Sequence, residues 1–356
     1  MEAKEFTIKT TPINQSTFNE VDWENLPFGK VFSDHMLVMD YKDGEWSTPE
    51  ITPFEAMNLH PATSAIHYGQ SVFEGMKAYR TVDDEVVIFR PEMNAKRFRE
   101  SAQRMCMADF PEELFEFCVN QIVKFDSKWV PSKKGDALYI RPFMFATDDY
   151  IGIKPSDTYR FMIFTCPVGA YYAEALNVKI EEHYTRAASG GVGSAKTAGN
   201  YAASLYPAME AKKEGYHQLV WTDGNSHEYI EESGTMNIMF VIDGKLITPD
   251  ESEDTILAGI TKRSVVELAR DWGMEVEERK IKVVEIIEAA KDGRLTEAFG
   301  AGTAATIAPI QMIGYKNEKY NLPGEEHRTF STKVVEHLDR IKVGKEADKF
   351  GWIKKV

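Results

Sequence analysis

One lysine in this chain stands in an unusual setting. The segment Arg186-Ala-Ala-Ser-Gly-Gly-Val-Gly-Ser-Ala-Lys196-Thr-Ala-Gly-Asn-Tyr201 surrounds Lys196 with small, uncharged residues. A lysine is ordinarily a solvated surface charge, but these neighbours give it no charged face to join. A desolvated lysine has a lowered pKa and becomes an amine nucleophile, able to form a Schiff base with a carbonyl. The glycines at 190, 191 and 193 allow close backbone approach to a bound ring. A second element, Glu231-Glu232-Ser233-Gly234-Thr235-Met236-Asn237, enters the apolar run Ile-Met-Phe-Val-Ile. It is either an acidic loop or a carboxylate at a strand mouth that pairs with a cationic ring nitrogen. On chemistry alone either glutamate serves. Third comes Leu257-Ala-Gly259-Ile260-Thr261, leading into a helix, with Thr261 as candidate N-cap and Gly273 as the stop. A glycine-led helix start is also an anion site, because its first N–H groups lack intrahelical partners. The fourth, Phe299-Gly-Ala-Gly302-Thr303-Ala304-Ala305-Thr306, is a small-residue turn whose N–H groups could bind an oxyanion.

The elements that must position these groups are legible from periodicity. Apolar and alternating runs predict strands over 35–41, 77–81, 85–90, 137–146, 160–166, 178–184, 217–222, 228–231, 236–242 and 245–248. Pro91 opens a helix whose stripe is Ala95, Phe98, Ala102 and Met105, and a second helix spans about 111–129. Further helices are expected near 200–214, 262–272, 284–292 and 331–340, with Pro207 expected to kink the first. The Pro-Gly-led stretch 167–177 reads as a connection between a small N-terminal α/β domain, 1–166, and a larger C-terminal domain, 178–356. Mixed strands and helices in two halves make the fold class α+β, a mixed α/β architecture. The lysine-rich end reads as an exposed tail or a final helix.

Composition narrows the function. The 356 residues carry 42 Lys and Arg against 56 Asp and Glu, a net charge of −14. That balance argues against a nucleic-acid partner, though not against a small basic pocket for one phosphate. The three cysteines, Cys106, Cys118 and Cys166, show no C-x-x-C spacing, so a disulfide framework or cysteine zinc site is not expected, and a reducing cytoplasm is. The start of the chain has neither the apolar core of a signal peptide nor the arginines of a transit peptide, and no apolar run is long enough to span a membrane. The histidines form no H-E-x-x-H or H-x-x-x-H pattern, so no metal is expected.

Taken in order, the motifs resemble those of fold-type IV pyridoxal-phosphate enzymes, specifically branched-chain amino-acid aminotransferases. Tyr68-Gly-Gln-Ser-Val-Phe73-Glu74-Gly75-Met-Lys77-Ala-Tyr79, Arg90-Pro-x-x-Asn94-x-x-Arg97-Phe98, Tyr139-Ile-Arg141-Pro142, Lys196-x-x-Gly199-Asn200-Tyr201 and Glu232-x-Gly234-Thr235-Met236-Asn237 carry the likeness over nearly the whole chain. The resemblance implies a two-domain fold with pyridoxal 5'-phosphate between the domains and Lys196 as the Schiff-base lysine. It implies Tyr201 on the cofactor's phenolic oxygen and Glu232, rather than Glu231, at the ring nitrogen. Arg97, the Ile260 and Thr261 amides and Thr303 would hold the phosphate. Thr303 and Ala304 would receive the substrate carboxylate, while Tyr68, Phe73, Tyr139, Arg141 and Tyr171 would shape the side-chain pocket. The implied reaction passes the amino group of L-leucine, L-isoleucine or L-valine to 2-oxoglutarate, giving L-glutamate, in a homodimer. Mammalian members carry a C-x-x-C pair where this chain has Ala305 and Ala308, so thiol regulation there is not expected.

Two other readings compete. A D-amino-acid aminotransferase or aminodeoxychorismate lyase shares the fold type, but chain length and the Tyr139-Ile-Arg141-Pro142 block favour the branched-chain reading. A binding protein that had lost its chemistry would not need Lys196, Tyr201 and Glu232 together. No G-x-x-x-x-G-K-[ST] motif supports a nucleotide-binding loop.

Overall fold

The computed structural model describes residues 6–170 and 174–356. The chain divides into two compact units. The first contains Met1–Tyr171, Ala195–Ala198 and Asp339–Val356, and the second Tyr172–Ser194 and Gly199–Leu338.

The first unit is built on a ten-stranded sheet, antiparallel apart from one edge pair. Its centre is the long hairpin of Ala137–Ala146 against Tyr159–Val168. His35–Lys42 flanks it on one side and Met76–Arg80 on the other. Residues of these strands alternate between two faces. One face packs against the helices Pro91–Arg104 and Glu112–Phe125 through Ala95, Phe98, Leu114, Phe115, Cys118 and Ile122. The opposite face carries Tyr139 and Cys166, cross-strand partners in the hairpin. Pro91 does take the first helical position, where its missing N–H costs nothing.

The lysine-rich end follows the helix Thr329–Lys342 and leaves Lys345, Lys349, Lys354 and Lys355 exposed, as expected, but it differs from expectation in two respects. Ile353–Lys355 pairs with Val86–Phe89 as an edge strand, and Lys342 is buried. Residues 339–356 therefore belong to the first unit and not to the C-terminal half, because the ladder to Val86–Phe89 holds them there. The segment 195–198 joins the same unit through an isolated bridge between Thr197 and Val72. The first boundary between the units, Tyr171 to Tyr172, falls within the stretch 167–177.

The second unit holds another ten-stranded sheet. Six of its strands, Met236–Ile242, Leu295–Gly302, Thr306–Tyr315, Leu176–Ile180, Gln218–Thr222 and Tyr229–Ser233, pair in succession. The tight hairpin of Tyr229–Ser233 with Met236–Ile242 closes them into a ring. Gly234 makes that turn at φ +56°, a conformation that favours glycine. The helix Ala198–Lys213 runs through Pro207, which is buried. Ile260–Asp271 is capped by Gly259, which puts Thr261 second in the helix instead of at the cap. Gly273, at φ +76°, ends it as expected. No helix of the described residues is long and apolar enough to cross a membrane.

Candidate active site

In the first unit, the turn between Ser71–Phe73 and Met76–Arg80 carries Glu74 inward to complete burial. Its carboxylate takes Arg97 Nε at 2.7 Å and Nη2 at 2.8 Å, a two-pronged pair, and Asn94 Nδ2 at 2.7 Å. Arg97 and Asn94 sit one turn apart on the helix Pro91–Arg104, so both reach the same carboxylate. Burial works to raise the Glu74 pKa, but the Arg97 charge and hydrogen bonds, with Lys196 and Asn94, outweigh it and hold the carboxyl below its ordinary value. Sequence reasoning quoted Glu74 within a motif and gave it no role. Its partner lies 23 residues away on another element.

Lys196 is fixed by its own backbone. Its N–H donates to Ser101 Oγ at 3.0 Å, and its carbonyl accepts the Phe73 N–H at 3.0 Å. The adjacent Thr197 Oγ1 donates to the Ser71 carbonyl at 2.7 Å. The side chain then passes over the Phe73 ring, with Nζ 4.9 Å from its centre. The Arg141 guanidinium also lies 4.9 Å from that ring centre, and Arg141 Nη2 donates to the Tyr139 hydroxyl at 2.9 Å. Phe73, Tyr139, Arg141 and Lys196 are thus brought together, as their assignment to one site requires. Arg141 Nε is buried with no hydrogen-bond partner among the described residues. Phe28, absent from the sequence-based set, meets Tyr139 edge-on at 5.0 Å. No motif marked it. Tyr68 is exposed, its ring beside His67, and no hydrogen bond or ring contact among the described residues joins it to that cluster. Tyr171 lies outside the described residues.

In the second unit, Glu232 and Glu231 separate in role. Glu232 is 3% exposed. It ion-pairs with Arg186 Nε at 3.1 Å, accepts the Leu257 N–H at 2.8 Å on Oε1, and has Asn237 Nδ2 at 3.4 Å from the same oxygen. Arg186 also donates through Nη2 to the Thr255 carbonyl. Glu231 is buried as well, but its Oε2 finds no hydrogen-bond partner among the described residues. Burial pushes its carboxyl up, against the opposing pull of a Thr255 hydrogen bond and Arg186. Ile260 and Thr261 open a twelve-residue helix, so their N–H groups point out of its start. Thr303 and Ala304 form the turn between Leu295–Gly302 and Thr306–Tyr315, where Thr306 adopts φ +63°. Tyr201 lies in the first turn of Ala198–Lys213, half-buried.

The donor set suits pyridoxal 5'-phosphate. A cationic ring nitrogen needs a buried carboxylate kept in its charged form, and Glu232 has an arginine and a backbone N–H to do so. A phosphate needs N–H donors at a helix start, which Ile260 and Thr261 provide.

Comparison with known proteins agrees. The sequence model of the amino-transferase class IV family matches residues 71–313. The branched-chain-amino-acid aminotransferase 2 of Bacillus subtilis is 44% identical over 339 residues, covering 94% of this chain and 93% of that protein. Among solved structures, the branched-chain aminotransferase of Thermoproteus uzoniensis with norvaline superposes with a TM-score of 0.73 at 27% identity, covering 90% of this chain and 99% of that one. The branched-chain amino acid aminotransferase of Thermobaculum terrenum, in its pyridoxal-phosphate form, shares the fold with a TM-score of 0.69 at 24% identity, covering 90% and 98%. A likeness that runs almost end to end through both sequence and fold leaves one assignment: the chain belongs to the class IV aminotransferases, among the branched-chain amino-acid aminotransferases.

Proposed function

We propose that this chain transfers the amino group of L-leucine, L-isoleucine or L-valine to 2-oxoglutarate, giving the branched 2-oxo acid and L-glutamate. The observation that carries the reading is the buried Glu232 carboxylate, held by Arg186 and the Leu257 N–H. Such an acid has no use in a fold that has lost its chemistry, and burying it without a task is costly.

Class IV aminotransferases use pyridoxal 5'-phosphate. When bound, it supplies an aldehyde that takes up the substrate nitrogen and a cationic ring that accepts the electron pair left at Cα. In this reading Lys196 is the lysine that would hold the cofactor, and its amine, once freed, would carry the proton from the substrate Cα to the cofactor's C4′ carbon. Glu232 would keep the ring nitrogen protonated, and Tyr201 would donate to the phenolic oxygen. Arg97, oriented by Glu74, serves the phosphate together with the Ile260 and Thr261 amides and Thr303. The Thr303 and Ala304 N–H groups receive the substrate's α-carboxylate. Phe73, Tyr139 and Arg141 would line the side-chain pocket. Its aromatic surface suits an aliphatic chain, and Arg141 with the Tyr139 hydroxyl suits the second carboxylate of glutamate.

The same reading makes the enzyme a cytoplasmic homodimer. Free cysteines support the compartment, and the exposed Ile66, Tyr68, Ile151 and Ile153 support a covered surface in the assembly. The test is a panel of amino acids with 2-oxoglutarate on protein supplied with cofactor, combined with borohydride trapping. Turnover of L-leucine, L-isoleucine and L-valine with the cofactor trapped on Lys196 is the expected result. Activity confined to D-alanine, or trapping on another lysine, overturns the reading.

A further inference from the structure

We propose that Asn237 is a positioning residue of the cofactor site, tying the ring-nitrogen acid Glu232 to the phosphate-binding helix start at Gly259 and so fixing the span between the cofactor's two handles. The inference rests on the roles given above to Glu232 and to the Ile260 and Thr261 amides.

Asn237 and Glu232 are directly opposed across the hairpin ladder, so their side chains share one face. Both are buried, at 5% and 3% exposure. Asn237 Nδ2 donates to the Leu257 carbonyl at 2.9 Å and lies 3.4 Å from Glu232 Oε1. The Leu257 N–H donates to that same Oε1 at 2.8 Å. The Leu257 peptide and the Asn237 amide therefore close around one carboxylate oxygen and set its direction.

The other end of the same amide touches the helix start. A Cβ at Gly259 would stand 1.7 Å from Asn237 Oδ1 and 2.9 Å from its Cγ. Gly259 has φ −74° and ψ 125°, values open to any residue. The glycine is thus required by the approach of Asn237 and not by its own backbone. Gly259 is the cap of Ile260–Asp271, the residue from which the Ile260 and Thr261 amides project. One planar carboxamide consequently spans the gap between acid and helix, with its donor on the acid side and its small oxygen against Cα of the glycine.

This chemistry makes the residue hard to replace. An aspartate keeps the shape but turns the donor into an anion facing Glu232, and an alanine removes the donor that faces the Leu257 carbonyl and Glu232 Oε1, leaving the Leu257 N–H to direct that oxygen without it. The experiment measures pyridoxal 5'-phosphate binding to the cofactor-free full chain by fluorescence titration, and the pH midpoint of the visible absorbance of the loaded protein. Asn237→Asp and Asn237→Ala are expected to bind the cofactor about 10- to 100-fold more weakly, with a displaced absorbance midpoint. Wild-type affinity and an unchanged midpoint in both variants would reduce Asn237 to a strand residue and overturn the inference alone. Should neither variant fold, Gly259→Ala, which pushes the amide away without adding charge, must show the same loss, and wild-type affinity there overturns it. A wild-type chain that takes up no cofactor overturns the functional reading and this inference with it.

Discussion

Glu74 grips the Arg97 guanidinium with both carboxylate oxygens, at 2.7 and 2.8 Å, and neither residue is more than 7% exposed. A buried pair of this kind is worth little against an apolar replacement of both partners, but removing one partner strands the other charge. Glu74→Gln is therefore expected to lower stability by about 3–5 kcal/mol in denaturant titration. The pH dependence has a definite sign. The folded Glu74 pKa lies below the ordinary 4.5, so just under pH 4.5 the unfolded chain binds the proton and the folded one does not. The stabilisation from Glu74 is complete above that pH and is lost as pH falls through the folded value. The gap between wild type and Glu74→Gln should close on acidification below about pH 4.5. A gap that stays constant with pH would show that the carboxylate charge is not what the variant removes.

The pair also shows where a sequence stops being legible. Lys196, Glu232, the helix start at Ile260 and the Gly302-Thr303 turn were readable because each lies in a short block whose composition is odd for its surroundings. The helix of Pro91 and the central hairpin followed from periodicity. What depends on contacts between distant segments was not readable. Nothing local links Glu74 to Arg97, the segment at Lys196 to Phe73, or Ile353–Lys355 to Val86–Phe89. Chemistry alone left Glu231 and Glu232 equivalent and the family resemblance pointed to Glu232; the partners that now distinguish it, Arg186 and Leu257, lie 46 and 25 residues away.

Gly75 lies beneath the Tyr139 ring. A Cβ there would come 2.1 Å from the hydroxyl and 2.9 Å from the ring carbon that bears it. Gly75→Ala must displace a rigid ring that also receives the Arg141 hydrogen bond. The expected cost is about 1–3 kcal/mol in stability, with a fall in kcat/KM for the amino-acid substrate. Adding Tyr139→Phe removes the closer of the two contacts. The double variant should recover part of the stability lost by Gly75→Ala, in a four-member cycle of denaturation midpoints. Simple additivity of the two changes would refute the contact.

Lys77 is a buried cation on the strand Met76–Arg80, opposite Tyr139 in the ladder. Burial, reinforced by the Lys342 charge, pushes its pKa down to about 8 from 10.5. Below pH 8 the fold carries the penalty of a buried charge in full. Between pH 8 and 10.5 the folded lysine is neutral while the unfolded one still holds its proton, so stability rises with pH. Lys77→Met removes this titration, so relative to wild type its stability should fall steadily as the comparison moves from pH 8 towards 10.5, read by denaturant titration. A difference between the two proteins that stays constant over that range contradicts this assignment.

On the proposed function, Arg141 is the group expected to separate the two substrates that the site must accept. Its guanidinium lies between the Phe73 and Tyr139 rings, 4.9 and 5.3 Å from their centres, with Nη2 on the Tyr139 hydroxyl and Nε buried without a partner among the described residues. Two aromatic faces hold the planar cation in one orientation, which a lysine could not copy. An aliphatic side chain gains nothing from a cation there, whereas the second carboxylate of glutamate or 2-oxoglutarate can pair with the guanidinium charge. Arg141→Gln should therefore raise the KM for 2-oxoglutarate about 10- to 100-fold and change the leucine half-reaction much less. Single-turnover measurements with leucine and with glutamate, each on cofactor-loaded protein, separate the two effects. Equal losses with both amino acids would mean that Arg141 supports the pocket wall as a whole and does not discriminate by charge.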